Sequence, residues 1–128
     1  MTNQQLIEKA IEAQKFSYSP YSGYKVGACL LTKSGKIYTG CNIENVAYGP
    51  SNCAERTAVF KAVSEGEKDF EKIAIVGGDC SSFAYPCGVC RQVLSEFSKD
   101  VIVVVYNKND GIKEFPLIEL LPHSFDNF

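Results

Sequence analysis

Hydrophobic and polar positions follow two different periods along the chain, and these periods predict its helices and strands. Leu6, Ile7 and Ala10 recur at helical spacing, so residues 3–15 are predicted to form an amphipathic helix. Shorter hydrophobic runs bounded by glycine, asparagine or serine predict strands. The predicted strands are residues 26–32, 36–40, 73–76, 101–106 and 112–115. The remaining predicted helices are residues 53–64, 86–97 and a last helical turn at 117–121.

The order of these elements predicts the fold class. Helices alternate with strands, which is typical of a sheet with helices packed against it, an α/β sandwich. The turn at 109–111 is so short that the two strands beside it must pair antiparallel. The length of 128 residues suits a single domain spanning 1–128, since domains most often have roughly 100–150 residues.

Composition and charge then exclude some classes of partner. The net charge is −2, and the lysines and arginines are scattered, whereas nucleic-acid binders usually carry a basic face. The N-terminal segment contains Glu8 and Glu12 and does not resemble a signal peptide. The longest apolar run, residues 101–106, is far shorter than the roughly 20 residues that span a bilayer. We therefore expect no nucleic-acid or membrane partner, and a cytoplasmic location.

Three of the six cysteines have the spacing of metal ligands. In the cytoplasm, cysteines are more often thiols or metal ligands than disulfides. Cys87 and Cys90 lie three residues apart at the start of a predicted helix, and Cys53 opens another. Three thiolates on one Zn²⁺ leave a fourth tetrahedral position open, as in catalytic zinc sites. The alternative is a closed structural zinc site, for which Cys41 could supply the fourth ligand, while the sole histidine, His123, lies in the tail.

Glu55 and Arg56 directly follow the first of these cysteines and have separate predicted roles. Zinc deaminases of bases and nucleosides use one glutamate to carry a proton from zinc-bound water to the ring nitrogen. Glu55 is the candidate for that role, and the alternative is a glutamate that only complements a helix dipole. Arg56 is predicted to hydrogen-bond a ligand sulfur and offset the negative charge of three thiolates. The alternative for Arg56 is an exposed surface arginine.

Asn42 and Glu44 form a second candidate group in the irregular loop 42–52. Because they alternate, their side chains point the same way in extended chain. A carboxylate beside an amide is suited to binding sugar hydroxyls. Either residue alone would be an ordinary polar loop position.

With these motifs together, the chain closely resembles the small, homotetrameric, zinc-dependent cytidine deaminases. The motifs C-A-E at 53–55 and P-C-x-x-C at 86–90 mark the wider deaminase superfamily. The motif N-I-E-N at 42–45 narrows the resemblance to nucleoside deaminases. The collinear match runs from about residue 17 to 125 and also includes residues 18–22, 26–28, 48–49 and 120–122.

The resemblance implies a three-layer α/β/α fold with a mixed five-stranded sheet whose last two strands form an antiparallel hairpin. It also implies one zinc ion per subunit, and a homotetramer with active sites shared between subunits. The implied site residues are the zinc ligands Cys53, Cys87 and Cys90, the proton shuttle Glu55, and the substrate-binding residues Asn42, Glu44, Ala54, Tyr24, Tyr48 and Phe125. Asn42 and Glu44 are expected to bind the ribose, and the backbone N–H of Ala54 is expected to bind the pyrimidine O2.

Three aromatic residues complete the expected site, and a fourth, Tyr85, departs from the pattern of relatives. Tyr48 and Phe125 are expected to reach a neighbouring subunit's site, where Phe125 matches an aromatic that stacks near the base in relatives. Tyr24 stands where many relatives have phenylalanine, which adds a hydroxyl to the pocket wall. Tyr85, before the second cysteine motif, is bulkier than the usual small residue.

The expected reaction is hydrolytic deamination of cytidine and 2′-deoxycytidine to uridine and 2′-deoxyuridine, with release of ammonia, in pyrimidine salvage. Zinc-bound hydroxide would attack C4 of the ring while Glu55 protonates N3. Three alternatives are a deaminase for another aminopyrimidine nucleoside, such as an aminoacyl nucleoside antibiotic, a deaminase that edits polynucleotides, and a non-enzymatic zinc-stabilised module. The acidic composition disfavours the second, and the third predicts a closed four-ligand site.

Overall fold

The computed structural model describes residues 1–128 and contains four helices and five strands. The helices are α1 (Asn3–Gln14), α2 (Ala54–Ser64), α3 (Gly88–Phe97) and the short α4 (Leu117–Leu120). The strands are β1 (Val26–Thr32), β2 (Ile37–Cys41), β3 (Phe70–Gly77), β4 (Ile102–Asn107) and β5 (Gly111–Pro116). None of the helices has both the length and the apolar composition that crossing a membrane requires.

The five strands form one mixed sheet in the order β2-β1-β3-β4-β5. Strand β1 pairs antiparallel with both β2 and β3, and β4 pairs antiparallel with β5. Strands β3 and β4 are parallel, and α3 makes the crossover between them, as a parallel pair requires. The mixed sheet and the terminal hairpin are therefore confirmed.

The two faces of the sheet carry separate hydrophobic clusters because side chains alternate along each strand. On β3, Ile73 and Ile75 face α2 and α3, whereas Ala74 and Val76 face α1. The same alternation on β1 and β4 gives each central strand two buried faces. Helices thus cover both sides of the sheet, and the α/β/α arrangement is confirmed.

Two boundaries differ by more than one residue from those predicted. Strand β3 begins at Phe70, three residues early, because Phe70 still pairs with Thr32 of β1. Helix α3 is predicted to begin at Pro86. In the structure it begins at Gly88, two residues later. Instead Cys87 is the N-cap of α3 and Cys53 is the N-cap of α2, both with extended backbone and without a side-chain cap hydrogen bond. The N-cap position leaves both thiols free to project beyond a helix end.

Candidate active site

The sulfur atoms of Cys53, Cys87 and Cys90 lie within 4.8 Å of one another. The Sγ–Sγ distances are 3.9 Å for Cys53–Cys87 and 3.5 Å for Cys87–Cys90. Thiolates at the usual zinc–sulfur distance in a tetrahedral site are about 3.8 Å apart, so the spacing fits one zinc ion. The cluster has three members and includes neither Cys41 nor His123. Its geometry is therefore that of an open three-ligand site.

Two helix N-termini bring the three thiols together. Cys53 and Cys87 cap α2 and α3, and Cys90 lies in the first turn of α3, fully buried. The N-terminus of a helix carries a partial positive charge, which favours thiolate over thiol. The fold thus concentrates positive potential where three thiolates would otherwise repel one another.

The guanidinium of Arg56 contacts the cluster directly. Its Nη2 donates a hydrogen bond to Cys53 Sγ at 3.1 Å, and the side chain is half-buried. Hydrogen bonds from the Cys90 thiol and from the Arg56 guanidinium lower the pKa of Cys53 to about 5. Arg56 therefore places a permanent positive charge against a thiolate.

Glu55 lies beside the cluster, in the first turn of α2. Only 5% of its surface is exposed, although its carboxyl group borders the pocket described below. Burial raises the pKa of Glu55 to about 7, because a charged carboxylate loses hydration there. A carboxyl group with a pKa near neutrality is suited both to accept and to donate a proton.

One pocket of about 700 Å³ opens over this cluster. Most of the predicted site residues line it: Tyr24, Asn42, Glu44, Tyr48, Cys53, Ala54, Glu55, Arg56 and Cys87. Cys90 lies buried behind this wall. Residues without a predicted role also line the pocket: Val26, Ile75, Phe83, Ala84 and Val89. The alternation on β3 was the one available signal for Ile75, since it shares a sheet face with the site.

Asn42 and Glu44 are held in place by neighbouring backbone. Glu44 Oε1 accepts hydrogen bonds from the N–H groups of Tyr21 and Ser22 at 3.0 and 3.1 Å. Hydrogen bonds from the hydroxyl and N–H of Ser22 hold the pKa of Glu44 below its usual range, so the carboxylate stays charged. Asn42 Oδ1 accepts from the N–H of Val26, and its Nδ2 donates to the carbonyl of Tyr24. Both side chains are therefore oriented before any ligand binds.

The remaining two substrate-binding candidates differ in position. Ala54 is the first residue of α2, so its N–H is one of the four at a helix start without a partner inside the helix. Phe125 does not line the pocket of its own chain, and 63% of its surface is exposed. The Gln92 side chain fixes it by accepting from the Phe125 N–H and donating to its carbonyl, at 3.2 and 2.7 Å.

Comparison with known proteins agrees with this geometry. The family model for the cytidine and deoxycytidylate deaminase zinc-binding region matches residues 1–106. A cytidine deaminase of Halalkalibacterium halodurans is 48% identical over 126 residues, which are 98% of this chain and 95% of that protein. The crystal structure of cytidine deaminase from Burkholderia pseudomallei has a TM-score of 0.91 at 44% identity, and covers 98% of this chain and 100% of its own. A blasticidin-S deaminase of Bacillus cereus is 32% identical over 125 residues, 92% of this chain and 88% of that protein.

An α/β/α sandwich with three convergent thiols and a glutamate at two helix N-termini is typical of the zinc-dependent deaminases of bases and nucleosides. The family match over residues 1–106 and the identity to known cytidine deaminases narrow this class to one family. The chain belongs to the cytidine deaminase family, and it is a hydrolase with cytidine deaminase activity.

Proposed function

We propose that this chain deaminates both cytidine and 2′-deoxycytidine by hydrolysis, with Glu55 as the proton shuttle. The observation that carries the proposal is the buried carboxyl group of Glu55, which borders the same pocket as Cys53 and Cys87. The products are uridine or 2′-deoxyuridine, and ammonia. The role that we propose for this reaction is pyrimidine salvage in the cytoplasm. We also propose that residues 1–128 form a single domain.

The metal site is proposed to hold one zinc ion per subunit. Cys53, Cys87 and Cys90 would be its ligands, since their sulfur spacing fits tetrahedral zinc. When bound, zinc supplies a Lewis acid that lowers the pKa of a water molecule and so provides a nucleophile near neutral pH. Arg56 would offset the net negative charge that three thiolates leave on the site.

Glu55 is proposed to move two protons. It takes a proton from the attacking water and gives it to N3 of the pyrimidine as the C4–O bond forms. It then transfers the second proton of that water to the 4-amino group, so that the C4–N bond breaks and ammonia leaves. A carboxyl group with a pKa of about 7 can act in both directions without a large energetic penalty in either.

The substrate is proposed to bind with its sugar at the loop and its ring at α2. The charged Glu44 and the free N–H of the Asn42 amide would bind ribose hydroxyls. Glu44 serves cytidine and 2′-deoxycytidine alike if it binds the 3′-hydroxyl. The Ala54 N–H would bind the pyrimidine O2, and Tyr24 and Tyr48 would line the pocket around the nucleoside.

Glu55→Gln is the test of the reaction and of the shuttle together. Wild type is expected to convert cytidine and 2′-deoxycytidine, seen as the ultraviolet absorbance change to uridine and 2′-deoxyuridine. Because proton transfer commonly contributes about 10²–10⁴-fold to a rate, Glu55→Gln is expected to lose at least about 10³-fold in kcat while retaining zinc. Near-normal turnover in this variant would refute the shuttle, and a zinc-loaded wild type without turnover would refute the substrates.

A homotetramer with shared sites is proposed from the two exposed aromatic residues. Tyr48 is 71% exposed and Phe125 63% exposed, which is unusual for substrate-binding side chains in a complete site. Mixing Glu55→Gln subunits with Phe125→Ala subunits tests the sharing. Hybrid assemblies are expected to regain activity, because one site then combines an intact Glu55 with an intact Phe125. Mixtures that gain no activity would contradict the sharing of sites. Full activity of a protein that sediments as a monomer would also contradict it.

An aminoacyl pyrimidine nucleoside is a second candidate substrate. The 32% identity to a blasticidin-S deaminase favours testing it, although identity to cytidine deaminases is higher. We expect the purified protein to deaminate cytidine in strong preference to blasticidin S in a competition assay. The reverse preference would replace the favoured substrate with the second candidate.

A further inference from the structure

Strand β3 carries a glycine, which has no side chain, at the point where the strand reaches the pocket. Ile73 and Ile75 lie on the sheet face that packs against α2 and α3, and Ile75 lines the pocket. Side chains two residues apart on a strand share a face, so Gly77 is the next position in this row. A side chain there would project on the pocket side of the sheet.

The phenol ring of Tyr24 occupies that space. A Cβ atom built on Gly77 would lie 2.0 Å from the Tyr24 Oη, 2.6 Å from its Cζ and 3.0 Å from the Cβ of Ala84. The two distances to the Tyr24 ring are too short for any real pair of atoms. The ring also covers Gly78, where a Cβ would lie 2.9 Å from Tyr24 Cε1.

The two glycines have different reasons for lacking a side chain. Gly78 has a φ of +58°, which itself favours glycine. Gly77 is not among the residues with positive φ, and it pairs with Val26 in regular antiparallel register. The backbone at Gly77 would therefore accept alanine. The Tyr24 ring is the main group that excludes a side chain there, and the Ala84 Cβ at 3.0 Å is a lesser close contact.

The main chain of Tyr24 has little freedom to retreat from a larger residue. The Tyr24 N–H donates to Ser22 Oγ at 3.0 Å, and its carbonyl accepts from Asn42 Nδ2 at 2.8 Å. The next carbonyl, that of Lys25, accepts from the N–H of Gly78 and from the buried Gln14 side chain, at 2.8 and 3.0 Å. A side chain at residue 77 would therefore displace the ring rather than the backbone.

We propose that Gly77 positions one wall of the nucleoside pocket, because its missing side chain creates the space, or seat, that holds the Tyr24 ring. The proposal rests on the proposed role of Tyr24 in substrate binding. Gly77 of β3 sets the position of this wall, because it contacts the Tyr24 ring on the side that faces away from the pocket. Gly77 is thus a positioning residue that acts through Tyr24.

A double-mutant cycle in KM for cytidine tests the seat. Gly77→Ala is expected to raise KM about tenfold, with kcat and zinc content within about twofold of wild type, because overpacking displaces the ring. Tyr24→Leu removes the Oη and Cζ atoms, which are the two nearest atoms that an alanine at 77 would meet. Gly77→Ala is therefore expected to change KM little in the Tyr24→Leu background, so that the two effects are strongly non-additive.

Tyr85→Leu is the matched control for this cycle. Tyr85 also lines the pocket but is not among the atoms nearest to Gly77, so its effect and that of Gly77→Ala are expected to be additive. An unchanged KM in Gly77→Ala, or additivity with Tyr24→Leu, would overturn the proposal. If Gly77→Ala fails to fold, folding of the double variant with Tyr24→Leu supports the seat, and failure of both overturns it. Wild type without cytidine turnover would instead refute the proposed function.

Discussion

The metal cluster and the loop 42–52 are two sides of one pocket, and they are built in opposite ways. Cys90 and Glu55 are 0% and 5% exposed, and they are held by the first turns of two helices. The loop instead presents Tyr48, which is 71% exposed, and Glu44, which is held by hydrogen bonds to the neighbouring loop residues Tyr21 and Ser22. The proposed chemistry thus depends on regular structure in which Cys90 and Glu55 are buried, whereas the proposed recognition of the substrate depends on loops that leave apolar surface uncovered.

The difference predicts that damage to the two sides has different signatures. Substitutions in the cluster are expected to remove metal or turnover. Substitutions in the loop are expected to weaken substrate binding and leave the metal in place.

The largest effect is expected from Cys87→Ala. Loss of one of three ligands should abolish zinc binding and turnover, and lower the melting temperature, because bound metal contributes to folding stability. Metal analysis and thermal unfolding, with Cys80→Ala as a matched cysteine outside the cluster, measure this effect. A Cys87→Ala protein that retains stoichiometric zinc would show that the cluster is not the metal site.

A smaller effect, confined to substrate binding, is expected from Glu44→Gln. Loss of a charge-assisted hydrogen bond to a sugar hydroxyl should raise KM for cytidine by about tenfold or more. Zinc content is expected to stay unchanged and kcat to fall less than KM rises. Steady-state kinetics beside Glu71→Gln, an exposed glutamate outside the pocket, separates this from a general charge effect. An unchanged KM would remove Glu44 from the substrate site.

The smallest effect is expected from Arg56→Gln, and it depends on pH. Hydrogen bonds from the Cys90 thiol and then from Arg56 lower the pKa of Cys53 to about 5, so protons compete with zinc for this sulfur only in acid. Without the guanidinium the thiol pKa rises, and protons compete at higher pH. The midpoint of zinc release on acid titration, followed with a chromophoric chelator, is therefore expected to move to higher pH. A midpoint equal to that of wild type would leave Arg56 without this role.

Sequence patterns were sufficient for the order of the elements and for the proximity of Cys87 and Cys90. The C-x-x-C spacing of Cys87 and Cys90 brings two thiols to one helix end by local geometry alone. The short turn at 109–111 likewise required an antiparallel hairpin, which β4 and β5 form. Such features depend on residues near one another in sequence, whose relative positions follow from backbone geometry.

Patterns failed where the deciding contact joins distant residues. Strand β3 begins at Phe70 because Phe70 pairs with Thr32 of β1. No local sequence pattern predicted that Phe83 would line the pocket. Phe125 lies outside the pocket of its own chain, held by Gln92, and its expected place in a neighbouring subunit's site stays a prediction.

The sequence by itself determined the order of helices and strands, the three thiols with Glu55 beside them, and the resemblance to cytidine deaminases. Tertiary structure alone decided that Glu55 is buried and that Tyr24 rests on Gly77. The physical reason is that spacing along the chain constrains which side chains share a helix end or a strand face. Burial and contact between distant segments depend on how the layers pack, and no single segment encodes that packing.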